Sequence, residues 1–140
     1  MSIRASRHDE RGAAAVEFAL IMPILFMLCF GIIDFGYAIN RHSVINNASR
    51  DAAREASLGG TKAQIVAAAN ESLGNLAGAT VVVSCKKPTG GACGSNYDTD
   101  AVSNGWAVVT VKYTHTMITP ISYLFGNSIK LDRTAQMRIE

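Results

Sequence analysis

The spacing of apolar positions divides the chain into a first half with a helical period and a second half with a period of two. From Ala13 to Ile33 the only charge is Glu17, and a run of this length matches the roughly 20 residues a helix needs to cross a hydrocarbon core. Apolar residues then recur at spacings near three and four through Ile39, Val44, Ile45, Ala48, Ala52 and Ala56, ending at Gly59-Gly60. This predicts one continuous helix from Ala13 to Leu58. At about 1.5 Å per residue such a helix extends on the order of 70 Å, far beyond a bilayer, so its outer half needs something to pack against. Pro23 and Gly31 weaken it locally, and a bend at Pro23 is expected.

Thr61 followed by Gln64 has the form of a capping box, and Ile65, Ala69, Leu73 and Leu76 make an apolar stripe. A second, amphipathic helix is therefore expected over Lys62 to Leu76, with Gly74 and Gly78 marking its end. The period then changes. Thr80 to Cys85 is rich in β-branched residues, and Trp106 to His115 puts Ala107, Val109, Val111 and Tyr113 on one face. In Ile129 to Glu140, Ile129, Leu131, Ala135, Met137 and Ile139 face inward, Lys130, Asp132, Thr134, Gln136 and Arg138 face outward, and Arg133 breaks the alternation. Three strands of a small antiparallel sheet with one wet face are expected. The fold class is α+β: the apolar face of the sheet packs on the second helix and on the outer half of the first. Lys86 to Gly105, rich in Gly, Asn, Ser and Asp, is expected to be a surface excursion. Met117 to Asn127 is a second long connection, apolar and broken by Pro120.

The 140 residues suffice for one membrane segment and one small domain, and 49% hydrophobic against 17% charged residues is an apolar balance. Arg4, Arg7 and Arg11 precede the apolar run, which places the N-terminus in the cytoplasm and the remainder across the membrane. The residues after the run, Ile33-Asp34-Phe35-Gly36-Tyr37, make a poor signal-peptidase site, so retention of the segment is expected rather than removal. Asp34 marks the outer headgroup boundary, with Tyr37 as an interfacial aromatic. A net charge of +2, with scattered Lys and Arg, gives no electrostatic footprint for nucleic acid.

Cys29 lies in the apolar run as a small hydrophobe, whereas Cys85 and Cys93 flank a Lys-Pro-Thr-Gly-Gly turn. A short disulfide loop is expected there, contributing roughly 2.5 kcal/mol in an oxidising compartment such as the periplasm. Two unpaired surface thiols are the other reading. His8, His42 and His115 are isolated from one another and from the loop cysteines, so neither a metal nor any other cofactor is expected. Asp98 and Asp100 lack the offsets of a calcium loop and read as solvated. The Asn47-Ala48-Ser49 and Asn70-Glu71-Ser72 triplets fall in predicted helices and carry no weight as glycosylation sites. No nucleophile-and-base motif or phosphate loop is present, and the chain is not expected to be an enzyme.

The residue that most needs a reason is Glu17. A carboxylate near the middle of a lipid-facing helix costs roughly 2.5 to 3.5 kcal/mol, less near the interface, and so asks for a partner. The stretch Arg11-Gly12-Ala13-Ala14-Ala15-Val16-Glu17-Phe18, the apolar run Ala19 to Phe30 and the segment Gly31-Ile32-Ile33-Asp34-Phe35-Gly36 together resemble the TadE-like pseudopilins of the tight-adherence pilus. The likeness is good from Arg11 to about Glu55 and weak beyond.

That resemblance implies a pilin-like head and removal of a cytoplasmic leader, residues 1–12, by a membrane-embedded prepilin peptidase cutting between Gly12 and Ala13. The span 13–33 then anchors a periplasmic head, 34–140, whose helix extension is 34–58. It also implies assembly roles for Glu17 and Phe18, with other pilins and pseudopilins, membrane lipid and the inner-membrane assembly platform as partners. Glu17 would meet the new ammonium of Ala13 on a neighbouring subunit; a glutamate at headgroup level, snorkelling or protonated, is the plainer alternative. The related TadF-type pseudopilins share the same leader and helix and are not separated from this chain by its head. Major shaft pilins of this system are much shorter. An uncleaved, single-pass periplasmic binding or scaffold protein fits the same topology, and a small membrane-bound hydrolase would require a clustered polar site in the head.

Overall fold

The computed structural model describes residues 7–74, 76–120 and 122–140. Two helices open the chain, α1 (Arg7–Ser57) and α2 (Lys62–Leu73). Then come β1 (Thr80–Lys86), a helical turn α3 (Tyr97–Asp100), β2 (Trp106–Thr116), a second turn α4 (Ser122–Phe125) and β3 (Ser128–Arg138). The α+β reading holds. The chain divides into two compact units: Tyr37–Thr116 with Ser128–Glu140, and Met1–Gly36 with Met117–Asn127.

In the first of these units the three strands form one antiparallel sheet in the order β1-β2-β3. The register sets Val109 between Val83 and Ala135, and Val111 between Val81 and Arg133. One face of the sheet is closed by helices. Ala52, Ala53 and Ala56 of α1 and Ile65 and Ala69 of α2 share a core with Cys85, Ala107, Val109 and Ile139. Ile45, Ala48, Leu73 and Val111 form a second cluster. The α1 contribution is mostly alanine, and small side chains let a helix axis approach a sheet closely while Ile45 and Ile65 fill the volume beside it. All five of these α1 residues are fully buried.

Helix α2 begins as its sequence predicts: the Thr61 side chain accepts from the Gln64 amide while Gln64 reaches back to the Thr61 backbone, an arrangement worth about 1 kcal/mol. It stops at Leu73, short of the expected Leu76, because Gly74 turns left-handed (φ 56°) and directs its N–H to the Glu71 carbonyl. Leu76 still packs against the second cluster from beyond the helix end.

Two expectations are corrected here. The excursion between β1 and β2 is not wholly superficial, since Tyr97 is 4% exposed, belongs to the main core and donates its hydroxyl to the Ala56 carbonyl at 3.3 Å. Composition suggested solvent because a single aromatic in a polar loop has no period to reveal its direction. The wet face of the sheet also contains a buried residue, Val108 on β2, between Ser84 and Gln136. A central strand is flanked on both sides, so neighbouring side chains cover it even where no helix does.

The other unit comprises the first part of α1 and the connection from β2 to β3. That connection is closed by the Met117 N–H donating to the Asn127 carbonyl at 3.0 Å and contains α4. Its attachment was not foreseen. The Ile118 amide donates to Asp34 Oδ1 at 2.9 Å, and the Thr119 hydroxyl donates to Asp34 Oδ2. Asp34 is buried, so its carboxylate serves the loop instead of facing lipid headgroups.

Candidate processing and assembly site

Gly12, Ala13, Glu17 and Phe18 all lie on α1, which runs unbroken through the Gly12-Ala13 bond. Helical geometry puts Ala13 and Glu17 one turn apart on the same face, about 6 Å along the axis. Every residue from Gly12 to Cys29 is exposed. Among the described residues Glu17 makes no hydrogen bond or ion pair, so none of them claims its carboxylate. Phe18 beside it is 63% exposed.

A β-carbon placed at Gly12 would meet nothing within 4 Å. No contact among the described residues therefore demands glycine at this position, and in a helix glycine costs about 1 kcal/mol relative to alanine. What glycine contributes here is ease of local unwinding and close approach by an outside body.

The exposed residues on this stretch include Val16, Leu20, Ile21, Ile24, Leu25, Phe26 and Leu28. A water-soluble protein does not leave such a continuous apolar surface open. By length and composition α1 is a candidate single-pass membrane anchor, and this surface is what lipid or neighbouring helices would cover. Phe26 and Phe30 stack one turn apart, with ring centroids at 5.9 Å.

The second expected feature, the cysteine pair, belongs to the sheet unit. Cys85 and Cys93 are joined in a disulfide with a Cα–Cα distance of 5.5 Å, and the Cys93 amide donates to the Cys85 carbonyl at 3.1 Å. Cys85 is at the same time part of the core. Cys29 is free and exposed on α1.

The aspartates weighed for calcium have other duties. Asp98 Oδ1 accepts from the Lys62 amide at 2.6 Å, satisfying a free N–H in the first turn of α2, where a negative charge is also favoured. Asp100 accepts from the Asn96 amide at 2.9 Å and from the Thr99 hydroxyl at 3.1 Å. Among the described residues no group of three or more His, Cys, Asp or Glu converges. Burial, and secondarily the charge of Asp98, raise the pKa of Tyr97 above its ordinary value of 10.0.

Comparison with known proteins bears on the helical end alone. Residues 12–54 match the family described as TadE-like protein, a little under one third of the chain. No curated protein and no solved structure matches. The matched range takes in Gly12, Glu17, the apolar run, Asp34 and the alanine-lined part of α1, and ends before α2.

Proposed function

On the premise that the chain is TadE-like over residues 12–54, we propose that it is a minor pilin or pseudopilin of a tight-adherence pilus. In this reading a prepilin peptidase removes residues 1–12 on the cytoplasmic side, the apolar part of α1 holds the product in the inner membrane, and the remainder is periplasmic. The observation that supports it is the Glu17 carboxylate, unclaimed among the described residues, one helical turn beyond the residue that cleavage would expose.

Cleavage creates an ammonium at Ala13. The attraction between that charge and a carboxylate is about 4 kcal/mol at about 4 Å and an effective dielectric near 20, before desolvation is subtracted. Two geometries compete for it. Within one chain, Glu17 lies on the same face one turn away and also favours the positive end of its own helix dipole. Between chains, Glu17 meets the ammonium of a neighbour and sets the register of two helices, helped by the small Ala13-Ala14-Ala15 surface, which permits close approach where lipid supplies no hydrophobic drive. The intermolecular pair is the one that makes Glu17 an assembly residue.

Cutting a bond that is helical in the intact chain requires the first turns to open, and Gly12 lowers that cost. The same helical continuity favours the rival, an uncleaved single-pass scaffold. Glu17→Gln in the native host separates the roles: it is expected to leave removal of residues 1–12 intact while surface pili are lost. Normal piliation by Glu17→Gln would contradict the assembly role. Gly12→Leu is expected to block cleavage through bulk that the peptidase, and not the chain itself, would feel.

A further inference from the structure

The connection Met117–Asn127 is grouped with the apolar end of α1 and not with the strands it joins. Two donors of this connection, the Ile118 amide and the Thr119 hydroxyl, are aimed at Asp34. Asp34 immediately follows Ile33, the last residue of the apolar run. In a helix crossing a hydrocarbon core of about 30 Å, that run is used up at Ile33 and Asp34 stands at the outer boundary. Whatever Asp34 holds stands at the same level.

The held segment has the composition of an interfacial surface. Met117 to Asn127 contains no charged residue. Ile118 is 66% exposed and Tyr123 is 89% exposed, while the loop's polar anchor, Thr119, is turned inward to Asp34. Phe30 and Gly31, one turn inside the apolar run, are half-buried, although every residue from Gly12 to Cys29 is exposed. An uncharged loop showing an isoleucine and a tyrosine beside the end of a membrane helix matches the chemistry of the lipid interface, where tyrosine places its ring among acyl carbons and its hydroxyl in water.

We propose that the β2–β3 connection is a second membrane contact: Ile118 and Tyr123 insert into the outer leaflet at the mouth of the α1 span, and Asp34 positions them there. This rests on α1 being membrane-spanning. The occupant of the surface is lipid, because the loop is continuous with the lipid-covered part of α1 and carries no charge to select a protein partner. Such a foot fixes the depth of the helix and opposes its tilting, since tilt would lift the two side chains out of the interface.

The test uses the full chain reconstituted in vesicles of phosphatidylethanolamine and phosphatidylglycerol whose acyl chains are brominated near the headgroup. Trp106, the sole tryptophan, is replaced in a Trp106→Phe background, and Tyr123→Trp, Ile118→Trp and Leu25→Trp are introduced one at a time. Leu25→Trp reports the span and the loop variants report the foot. The expected result is strong loss of emission, relative to unbrominated vesicles, at Leu25→Trp and at both loop probes, with blue-shifted loop emission. Quenching at Leu25→Trp with unquenched, water-like emission from both loop probes would overturn the foot while leaving the anchor intact. No quenching at Leu25→Trp would overturn the anchor and the foot with it. Two loop probes guard against one substitution disturbing the loop.

Discussion

The two parts of α1 treat apolar residues in opposite ways. Between Ala38 and Ala56 the buried residues are mainly alanines, with Ile45 the one large exception. Between Val16 and Leu28 every residue is exposed, the large Leu20, Ile24, Leu25 and Phe26 included. Water-soluble proteins bury the large and tolerate the small outside. The later part of α1 packs on a sheet, whereas the earlier part presents large apolar side chains that the described residues leave uncovered. Apolar content alone does not distinguish them; side-chain size does.

That contrast can be broken by stability measurements. Ile65→Ala, which empties the core facing the alanine-lined part of α1, is expected to cost about 2 to 5 kcal/mol, measured by denaturant unfolding of the full chain in detergent. Leu25→Ala, an equally drastic truncation on the exposed part, is expected to shift the same transition by less than about 0.5 kcal/mol. Equal effects would erase the distinction between the two parts. Reduction of Cys85–Cys93 is expected to lower stability by about 2.5 kcal/mol, read as a fall in midpoint when reductant is added.

A smaller effect sharpens the boundary between the parts. Asp34→Ala removes the acceptor of two loop donors, bonds worth about 0.5 to 1.5 kcal/mol each. Hydrogen exchange at the Ile118 amide is expected to quicken while the β2–β3 ladder amides keep their protection. Slow exchange at Ile118 in this variant would show that the loop is held by something other than Asp34.

The smallest expected effect is a pH dependence. Burial raises the Tyr97 pKa above its ordinary value of 10.0. Because the folded state prefers the neutral phenol, this contribution is complete below about pH 10 and is lost as pH rises through the folded pKa. Stability should therefore fall more steeply above pH 10 in the wild type than in Tyr97→Phe, and identical alkaline limbs would contradict the assignment.

Most of the sheet unit was legible in the residue pattern. Alternation located the strands within a residue or two, Thr61 and Gln64 located the start of α2, and the flanked turn suggested the Cys85–Cys93 pair. What the pattern hid are contacts with no local period. Asp34 and Ile118 are 84 positions apart, and nothing near either residue announces the other. Tyr97 and Asp98 share a polar loop, yet one completes a core and the other satisfies the first turn of α2. At the candidate site Gly12 and Glu17 stand out in the sequence because each is unfavourable in an apolar helix. The partners proposed for them, a peptidase and a neighbouring ammonium, lie outside the chain and leave no pattern in it.

The most direct test of the account is the intact mass of the protein isolated from the membranes of its native host, with the disulfide preserved. The account predicts a polypeptide beginning at Ala13. A polypeptide that still carries Met1 or Ser2 in cells that form pili normally would contradict it.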